Sequence, residues 1–315
     1  VPNESVTGFL RRRLGPEIAD VFGSALVSGI FAGDASSLSF TAAFPALAAL
    51  EDKHGGIIKG FLAKRREGGA RPTMKLWAPV HGMGALVDAL ARTLDGRLRT
   101  RTRVSALEPG PEETIVRLAD GETLGARAVV LAVPPSAAQA LLTPLDAGRG
   151  EILGAIPSAN VVVVHVGIGR DEVAHSLEGF GFLVARRGEL GCLGCVVDST
   201  VWEGRAPAGY ALLRLIYGGA RDPELINMGD EALTALVESD LARTFATRRA
   251  PRFMRIVRVP RAIPQYVAGH LARVEEAERR AAALGVTLAG NAYHGVSVND
   301  CVRDAKRVAA AVLAA

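Results

Sequence analysis

The C-terminal stretch of this chain combines a strand, a glycine loop and a helix, and it constrains the fold more than any other feature. Val286 to Ala289 is a short apolar run of strand type, and Gly290 and Gly295 mark the two ends of the loop that follows. Asn299 and Asp300 carry side chains typical of helix starts, and an apolar periodicity of helical spacing follows them. Such a helix directs its unpaired N–H groups and the positive end of its dipole at whatever lies above the loop. The pattern predicts either a ligand-binding edge or an ordinary strand-to-helix turn.

Composition indicates a globular chain of about two domains. The 315 residues are 49% hydrophobic and 22% charged, so the chain can bury a sizeable core. Its uninterrupted apolar runs fall well short of the roughly 18–20 residues needed to span a bilayer. We therefore expect a protein that is not integral to a membrane.

The charge pattern argues against nucleic acid as a partner. The formal net charge is +4, and the basic residues are scattered apart from the triplets Arg11–Arg13 and Lys64–Arg66. No aromatic side chains alternate with them, as a single-stranded nucleic-acid site would require. We expect both triplets to be solvated helix faces, with contact to acidic lipid headgroups as the weaker alternative.

Three cysteines, Cys192, Cys195 and Cys301, do not suggest a disulfide framework, which fits a reducing compartment such as the cytoplasm. The first two form a Cys-x-x-Cys pair. A zinc site would need further ligands at suitable spacing, and a redox pair would need a helix N-terminus beside it. Because the pair lies in a strand-like run, we expect its side chains to be buried on opposite faces of a strand.

The first part of the chain has apolar residues at helical spacing, and from Arg97 the apolar spacing becomes that of strands. Helices are predicted from about Ser5 to Leu14, onward to about Val27, twice between Leu38 and Arg66 with a break at Gly55-Gly56, and from about Ala85 to Leu94. Strands are predicted at Arg97–Ala106, Thr114–Leu118 and Ala126–Val133, with a hairpin turn at Asp120-Gly121, and a helix at Ser136–Leu142.

The middle of the chain predicts a mainly antiparallel sheet. Its strands are expected at about Ala159–Val166, Phe180–Ala185, Gly191–Val197 and Ala211–Tyr217. A helix near Glu231–Phe245, a strand near Phe253–Val259 and a helix near Leu271–Leu284 follow.

Several ordered motifs resemble those of the protoporphyrinogen and coproporphyrinogen oxidases, FAD-dependent enzymes of haem biosynthesis within the amine-oxidase-like flavoproteins. The run Tyr293 to Cys301 resembles the closing FAD-contact motif of that family. Similar stretches occur in order along the whole chain, at Glu4–Gly15, Val27–Ser39, Leu50–Gly60, Gly179–Val184, Tyr217–Gly219 and Ile263–Leu271.

The resemblance implies an α+β or α/β fold in which an incomplete FAD-binding domain is interleaved with an antiparallel-sheet substrate domain and a helical segment. The expected bounds are 1–67 for the helical segment, 68–135 and 285–315 for the FAD-binding parts, and 136–284 for the substrate domain. The family's opening Gly-x-Gly-x-x-Gly turn is not found, because Gly82-Met-Gly follows only a short segment containing Pro79. We therefore expect the C-terminal two-thirds of a larger protein, inactive by itself.

The resemblance also implies which residues of this chain bind substrate and cofactor. It implies substrate binding by Phe180, Leu183 and Ile216, although core packing is the alternative for the first two, and Ile216 stands where relatives often have methionine. It implies cofactor contacts at Val104, Gly290, Asn291, His294, Gly295, Val296, Val298 and Asn299. For His294 a solvent-facing loop position is an equal alternative. No residue is assigned as an acid or base catalyst, and no metal site is expected.

The implied reaction is the six-electron oxidation of protoporphyrinogen IX to protoporphyrin IX, with noncovalent FAD and oxygen as acceptor. The partners implied are a tetrapyrrole substrate, a peripheral membrane contact and a second copy of the chain. Three alternatives stay open: a coproporphyrinogen III oxidase, an amine oxidase or carotenoid desaturase of the same fold, and a porphyrin-binding module without catalysis.

Overall fold

The structure is a computed structural model that describes residues 3–66, 76–185 and 188–314. The chain divides into two compact units, and both are built from separate stretches of sequence. The first unit comprises Val1–Phe61 and Ile156–Leu271, and the second comprises Leu62–Ala155 and Ala272–Ala315.

The α-helices are α1 (Val6–Leu14), α2 (Pro16–Ile18), α3 (Ser24–Phe31), α4 (Phe40–Ala43), α5 (Pro45–His54), α6 (Ile57–Arg66), α7 (Gly84–Thr93), α8 (Pro135–Leu142), α9 (Ala147–Gly154), α10 (Asp198–Val201), α11 (Asp230–Phe245), α12 (His270–Ala282) and α13 (Val298–Ala314). A π-helical turn, Ala19–Gly23, joins α2 to α3, and short 3₁₀ turns lie at Arg170–Glu172 and Pro223–Asn227.

The strands are β1 (Val104–Pro109), β2 (Thr114–Leu118), β3 (Thr123–Ala126), β4 (Val129–Leu131), β5 (Ser158–Gly169), β6 (Gly181–Leu183), β7 (Gly194–Val196), β8 (Tyr210–Gly218), β9 (Phe253–Pro264) and β10 (Val286–Leu288). Within the described ranges, no helix has the length and apolar character needed to cross a bilayer.

Local signals explain where the N-terminal helices begin and end. The Ser5 side chain accepts a hydrogen bond from the Gly8 N–H at 3.0 Å and caps α1, which begins where the sequence predicts a helix start. The second helical run continues past the predicted end at Val27 to Phe31. It stops there because Ala32 adopts a left-handed backbone with φ of 46°.

The first unit contains an antiparallel sheet in the order β6-β7-β8-β5-β9. Alternate residues of β5 and β8 point to one face and pack on the apolar side of α11, and the predicted antiparallel sheet is confirmed. This core includes Val162, Val164 and Val166 of β5, Leu213, Leu215 and Tyr217 of β8, and Leu233, Val237 and Leu241 of α11.

The opposite face of the same sheet receives the C-terminal end of α3. The Ala220 N–H donates to the Ala32 carbonyl at 2.7 Å. Gly218 and Gly219 both have positive φ, and a side chain at Gly219 would overlap the Ala32 carbonyl oxygen. The Tyr-Gly-Gly motif is therefore needed for this close approach of helix and strand.

The second unit contains the three-stranded meander β1-β2-β3 and the parallel pair β4 and β10. The predicted hairpin at Asp120-Gly121 is correct, since it joins β2 to β3. The predicted strand Ala126–Val133 is wrong as a single strand, because β3 and β4 belong to different sheets. The strand predicted from Arg97 begins only at Val104, because Arg101 has a positive φ of 54° that interrupts extended backbone.

Sequence reasoning also missed α9, although its cap was visible. Asp146 precedes the helix, and its side chain accepts from the Gly148 N–H at 2.9 Å.

The Cys-x-x-Cys pair is buried as predicted, but the two side chains do not point to opposite sides. Cys192 and Cys195 both belong to the core shared with α11. The alternation rule fails because Cys192 precedes β7 and is not part of a regular strand. Its N–H instead donates to the buried Asp240 carboxylate at 2.9 Å.

The first basic triplet is paired with carboxylates of the same unit. Arg11 pairs with Asp20, and Arg12 and Arg13 both pair with Glu51. Because these carboxylates balance part of its charge, the triplet is a weaker attractor for anionic surfaces than the sequence suggests.

Candidate functional site

The first unit contains an apolar cavity of about 490 Å³ between the sheet and the helical run that ends in α3. The sheet wall includes Phe180, Leu183 and Ile216, the three residues that the resemblance proposes for substrate binding. They come from two motifs separated by more than thirty residues of sequence, and the structure brings all three to one cavity. Their role in binding stays a prediction.

A bend in the chain allows Phe180 and Leu183 to share this wall. Residues three apart on a flat strand face opposite ways. Gly179 and Gly181 have φ values of 103° and 142°, which only glycine adopts readily, and β6 begins only at Gly181. Phe180 and Leu183 are consequently 56% and 50% exposed, whereas Phe182 between them packs against the core.

The opposite wall of the cavity is helical and was missed by sequence reasoning. It includes Phe22, Leu26, Gly29 and Ile30. A spacing of four between Phe22, Leu26 and Ile30 was the available signal, since it places apolar side chains on one helix face. Phe22 lies in the π-helical turn and is 60% exposed, so its ring is available to a ligand.

The second unit contains another cavity, of about 400 Å³, at the carboxyl ends of β4 and β10. Parallel strands end at the same edge, which is where α/β folds bind ligands. Four predicted cofactor residues line it, namely Gly290, Asn291, Val296 and Val298. The other wall is formed by Ala132, Val133, Pro134 and Cys301.

The two loop glycines are required for different reasons. Gly290 has φ of 121°, and a Cβ there would have no heavy atom of the described residues beyond its chain neighbours within 4 Å, so the glycine leaves open space beside the cavity. Gly295 has φ of 131°, and a Cβ there would lie 2.5 Å from Cβ and Cγ of Asp300. Gly290 is thus the position that a ligand can approach, whereas Gly295 makes room for the start of α13.

Ser297 and Asp300 form a reciprocal cap at the N-terminus of α13. The Asp300 N–H donates to the Ser297 hydroxyl at 3.1 Å, and the Ser297 N–H donates to the Asp300 carboxylate at 3.1 Å. Partial burial would raise the pKa of the Asp300 carboxyl, but the hydrogen bonds from Ser297 and the charge of Arg303 outweigh burial and lower it. The cap therefore holds the glycine loop and the helix start in one conformation.

The remaining predicted cofactor residues do not line this cavity. His294 Nε2 lies 2.7 Å from Glu278 Oε1 on α12. Val104 begins β1, where it is paired with Leu118, and Asn299 lies in the first turn of α13. Contacts of these residues and of Gly295 with a cofactor stay predictions.

The first cavity has no strong acid or base among the groups that line it. Burial raises the pKa of the Cys195 thiol to about 12, and the nearby Asp198 carboxylate adds to the shift. In the part of the chain that the structure describes, no group of three or more potential metal ligands occurs. The cavity is thus suited to holding an apolar ligand rather than to proton transfer.

Comparison with known proteins places the chain in a family. A sequence profile for flavin containing amine oxidoreductases matches residues 2–313. Coproporphyrinogen III oxidase of Bacillus subtilis is 28% identical, over 96% of this chain and 66% of that protein. The chloroplastic protoporphyrinogen oxidase of Nicotiana tabacum is 32% identical, over 98% of this chain and 61% of that protein. Protoporphyrinogen oxidase of Macaca fascicularis is 30% identical, with 99% and 69% covered.

A solved structure supports the same assignment. An Exiguobacterium protein provisionally assigned as a protoporphyrinogen oxidase has a TM-score of 0.82 and 27% identity, over 98% of this chain and 66% of that one. The chain therefore belongs to the flavin containing amine oxidoreductases, and among them to the protoporphyrinogen and coproporphyrinogen oxidase family. It spans 66% and 61% of the lengths of the Bacillus subtilis and Nicotiana tabacum relatives.

The edge formed by β4 and β10 fits the flavin that the family contains. The space beside Gly290 admits a flat group, and Val296 and Val298 offer it apolar contacts. The N-terminal end of α13 adds a positive dipole, which favours negative charge on a bound group.

Proposed function

We propose that the protein oxidises protoporphyrinogen IX to protoporphyrin IX with noncovalent FAD. The observation that carries the proposal is that Phe180, Leu183 and Ile216, each expected to bind substrate, share one apolar cavity. A pocket of this kind suits a large apolar macrocycle, because it removes apolar surface of the ligand from water. The activity of the whole protein and its substrate are part of the proposal.

In this mechanism the chain binds and orients the substrate. Phe180 offers an aromatic face to a pyrrole ring, and Leu183 and Ile216 restrict the ring from the sheet side. When bound, FAD supplies the acceptor for hydride or electrons, and oxygen is the proposed final acceptor. The protein contributes position and exclusion of water, which agrees with the lack of an assigned acid or base.

Noncovalent attachment is supported by the state of Cys301. This thiol lines the second cavity, but burial and the nearby carboxylates of Asp300 and Asp304 raise its pKa. Little thiolate is therefore present at neutral pH to attack a flavin. Acid precipitation of the loaded protein should release all yellow colour into the supernatant, whereas colour retained in the pellet would contradict this attachment.

The function is tested by porphyrin fluorescence. The protein at its natural length, supplied with FAD and oxygen, should form protoporphyrin from protoporphyrinogen IX faster than autoxidation does. Coproporphyrinogen III is assayed in parallel, because the relative from Bacillus subtilis carries that name. A clear preference for coproporphyrinogen III would replace the proposed substrate, and turnover of neither would overturn the proposed function.

Two further predictions concern partners. A peripheral membrane contact is tested by co-sedimentation with vesicles of anionic lipid, and a homodimer by light scattering during gel filtration. Exposed apolar side chains of the second helical run, such as Ile18 and Val21, support the first of these predictions.

A further inference from the structure

A row of basic side chains crosses the cavity-side face of the sheet in the first unit. The strand register places Arg214 of β8 opposite His165 of β5, and His165 opposite Arg255 of β9. Side chains that face each other across antiparallel strands have Cβ atoms about 4.5–5.5 Å apart. Arg214, His165 and Arg255 thus form one continuous row, which we call the basic row.

The basic row begins at the rim of the apolar cavity. Ile216 lies two residues from Arg214 on β8 and therefore on the same face of the sheet. Val196 of β7 is registered directly opposite Arg214. Because both Ile216 and Val196 line the cavity, Arg214 lies beside its wall.

The Arg214 side chain is held in place by one carboxylate and stays partly exposed. Its Nη2 donates to Asp198 Oδ1 at 3.0 Å, and its side chain is 38% exposed. Nε is buried and has no hydrogen-bond partner among the described residues. A guanidinium held by one carboxylate in this way loses little further freedom when a second carboxylate binds.

The other two members extend the row towards solvent. Arg255 is exposed, and no carboxylate in the described part of the chain pairs with it. His165 is partly buried, and burial lowers its pKa more than the neighbouring Asp198 raises it, while Arg214 and Arg255 lower it further. Its ring is therefore neutral at neutral pH and can donate or accept a hydrogen bond.

An apolar cavity with a basic row at its rim matches an amphipathic ligand that has carboxylates at its edge. We propose that the basic row binds carboxylate side chains of the macrocycle while the cavity holds its rings. Arginine is suited to this role, because its planar guanidinium forms two parallel hydrogen bonds to one carboxylate. This proposal rests on the proposed function and makes Arg214 and Arg255 determinants of substrate specificity.

The test measures binding without requiring turnover. Protein fluorescence is titrated with protoporphyrin IX, which has free carboxylates, and with its dimethyl ester, which has the same rings but no charge. The wild-type protein should bind the acid about tenfold more tightly than the ester. Arg214→Gln should weaken binding of the acid by about that factor and leave binding of the ester unchanged.

Two further variants control for folding and for general charge. Arg214→Gln removes the partner of Asp198, so its melting temperature is measured alongside binding. Arg255→Gln removes no ion pair between described residues, and it should lower acid affinity about threefold with an unchanged melting temperature. Arg243→Gln is the matched control, because Arg243 lies on α11 on the opposite side of the sheet and, among the described residues, pairs with Glu189. It should bind both ligands as the wild type does.

The outcomes separate this proposal from the proposed function. Equal binding of acid and ester by the wild type, or an equal loss of both affinities in the arginine variants, would overturn the role of the basic row. The cavity would then bind the macrocycle without recognition of its carboxylates by the basic row. If neither ligand binds, both proposals are overturned. If Arg214→Gln does not fold, the proposal is decided by the acid affinity of Arg255→Gln and by the ratio of acid affinity to ester affinity in the wild type.

Discussion

Gly29 of α3 faces the side chain of Leu183 so closely that a Cβ atom at residue 29 would lie 2.6 Å from Leu183 Cδ2. Alanine is intrinsically better than glycine inside a helix by about 0.5–1 kcal/mol. The added methyl group would nevertheless displace Leu183 within the cavity wall. We expect Gly29→Ala to leave the melting temperature unchanged or slightly higher while it raises KM for the porphyrinogen several-fold. An unchanged KM would show that Leu183 does not contact substrate.

The aromatic residues Phe180 and Phe182, separated by Gly181, allow a comparison. Phe180 is half exposed in the cavity wall, whereas Phe182, which also borders the cavity, is partly buried and packs against the core with its ring 6.0 Å from that of Phe245. Phe180→Ala should weaken substrate binding by about 1–3 kcal/mol and change stability by less than about 1 kcal/mol. Phe182→Ala should destabilise the protein by about 3 kcal/mol. Calorimetry measures the stability of both variants, and steady-state kinetics measure their substrate binding. A large stability loss in Phe180→Ala would remove Phe180 from the substrate site.

Substitution of Gly290 tests cofactor binding more directly than substitution of Gly295. Alanine at Gly290 would place its Cβ more than 4 Å from every heavy atom of the described residues beyond its chain neighbours and adds only backbone strain of about 1–3 kcal/mol, but its methyl group occupies the space beside the cavity. We expect Gly290→Ala to lose flavin absorbance after gel filtration while the protein stays folded. Gly295→Val should instead destabilise the loop through its collision with Asp300. Full flavin content in folded Gly290→Ala would argue against a flavin at this edge.

The cap at Ser297 and Asp300 should make stability depend on acid pH. The folded-state pKa of Asp300 is lowered, so its contribution is present above the unfolded pKa of about 4 and is lost as the pH falls through the folded value. Asp300→Asn should therefore cost about 1 kcal/mol at pH 7 and progressively less below about pH 4. Denaturant titrations at several pH values measure this difference. Arg303→Gln is the control for the exposed ion partner and should cost much less.

The buried thiol pair should be chemically inert. Burial raises the pKa of Cys195 to about 12 and that of Cys192 still further, so neither forms thiolate below strongly alkaline pH. With a thiol-specific disulfide reagent at pH 8, the native protein should react only slowly and only at Cys301. After denaturation all three cysteines should react. Rapid labelling of Cys192 or Cys195 in the native state would contradict their placement in the core.

Elements with a strong local pattern were predictable from the sequence. The helix α11 and the strand β8 agree with prediction to within about a residue at each end, because period and capping residues are local properties. The division between β3 and β4 was not predictable. Both have the same strand-like composition, and only pairing with β10, far away in sequence, places β4 in another sheet.

The sequence by itself determined the family, the glycine loop before α13 and the separate residues expected to bind substrate. Tertiary structure alone decided that Phe180, Leu183 and Ile216 face one cavity and that the helical residue Phe22 completes it. It also decided that Arg214, His165 and Arg255 form a row. The physical reason is that side-chain period and turn chemistry depend on neighbouring residues, whereas cavities and cross-strand rows depend on register between distant segments.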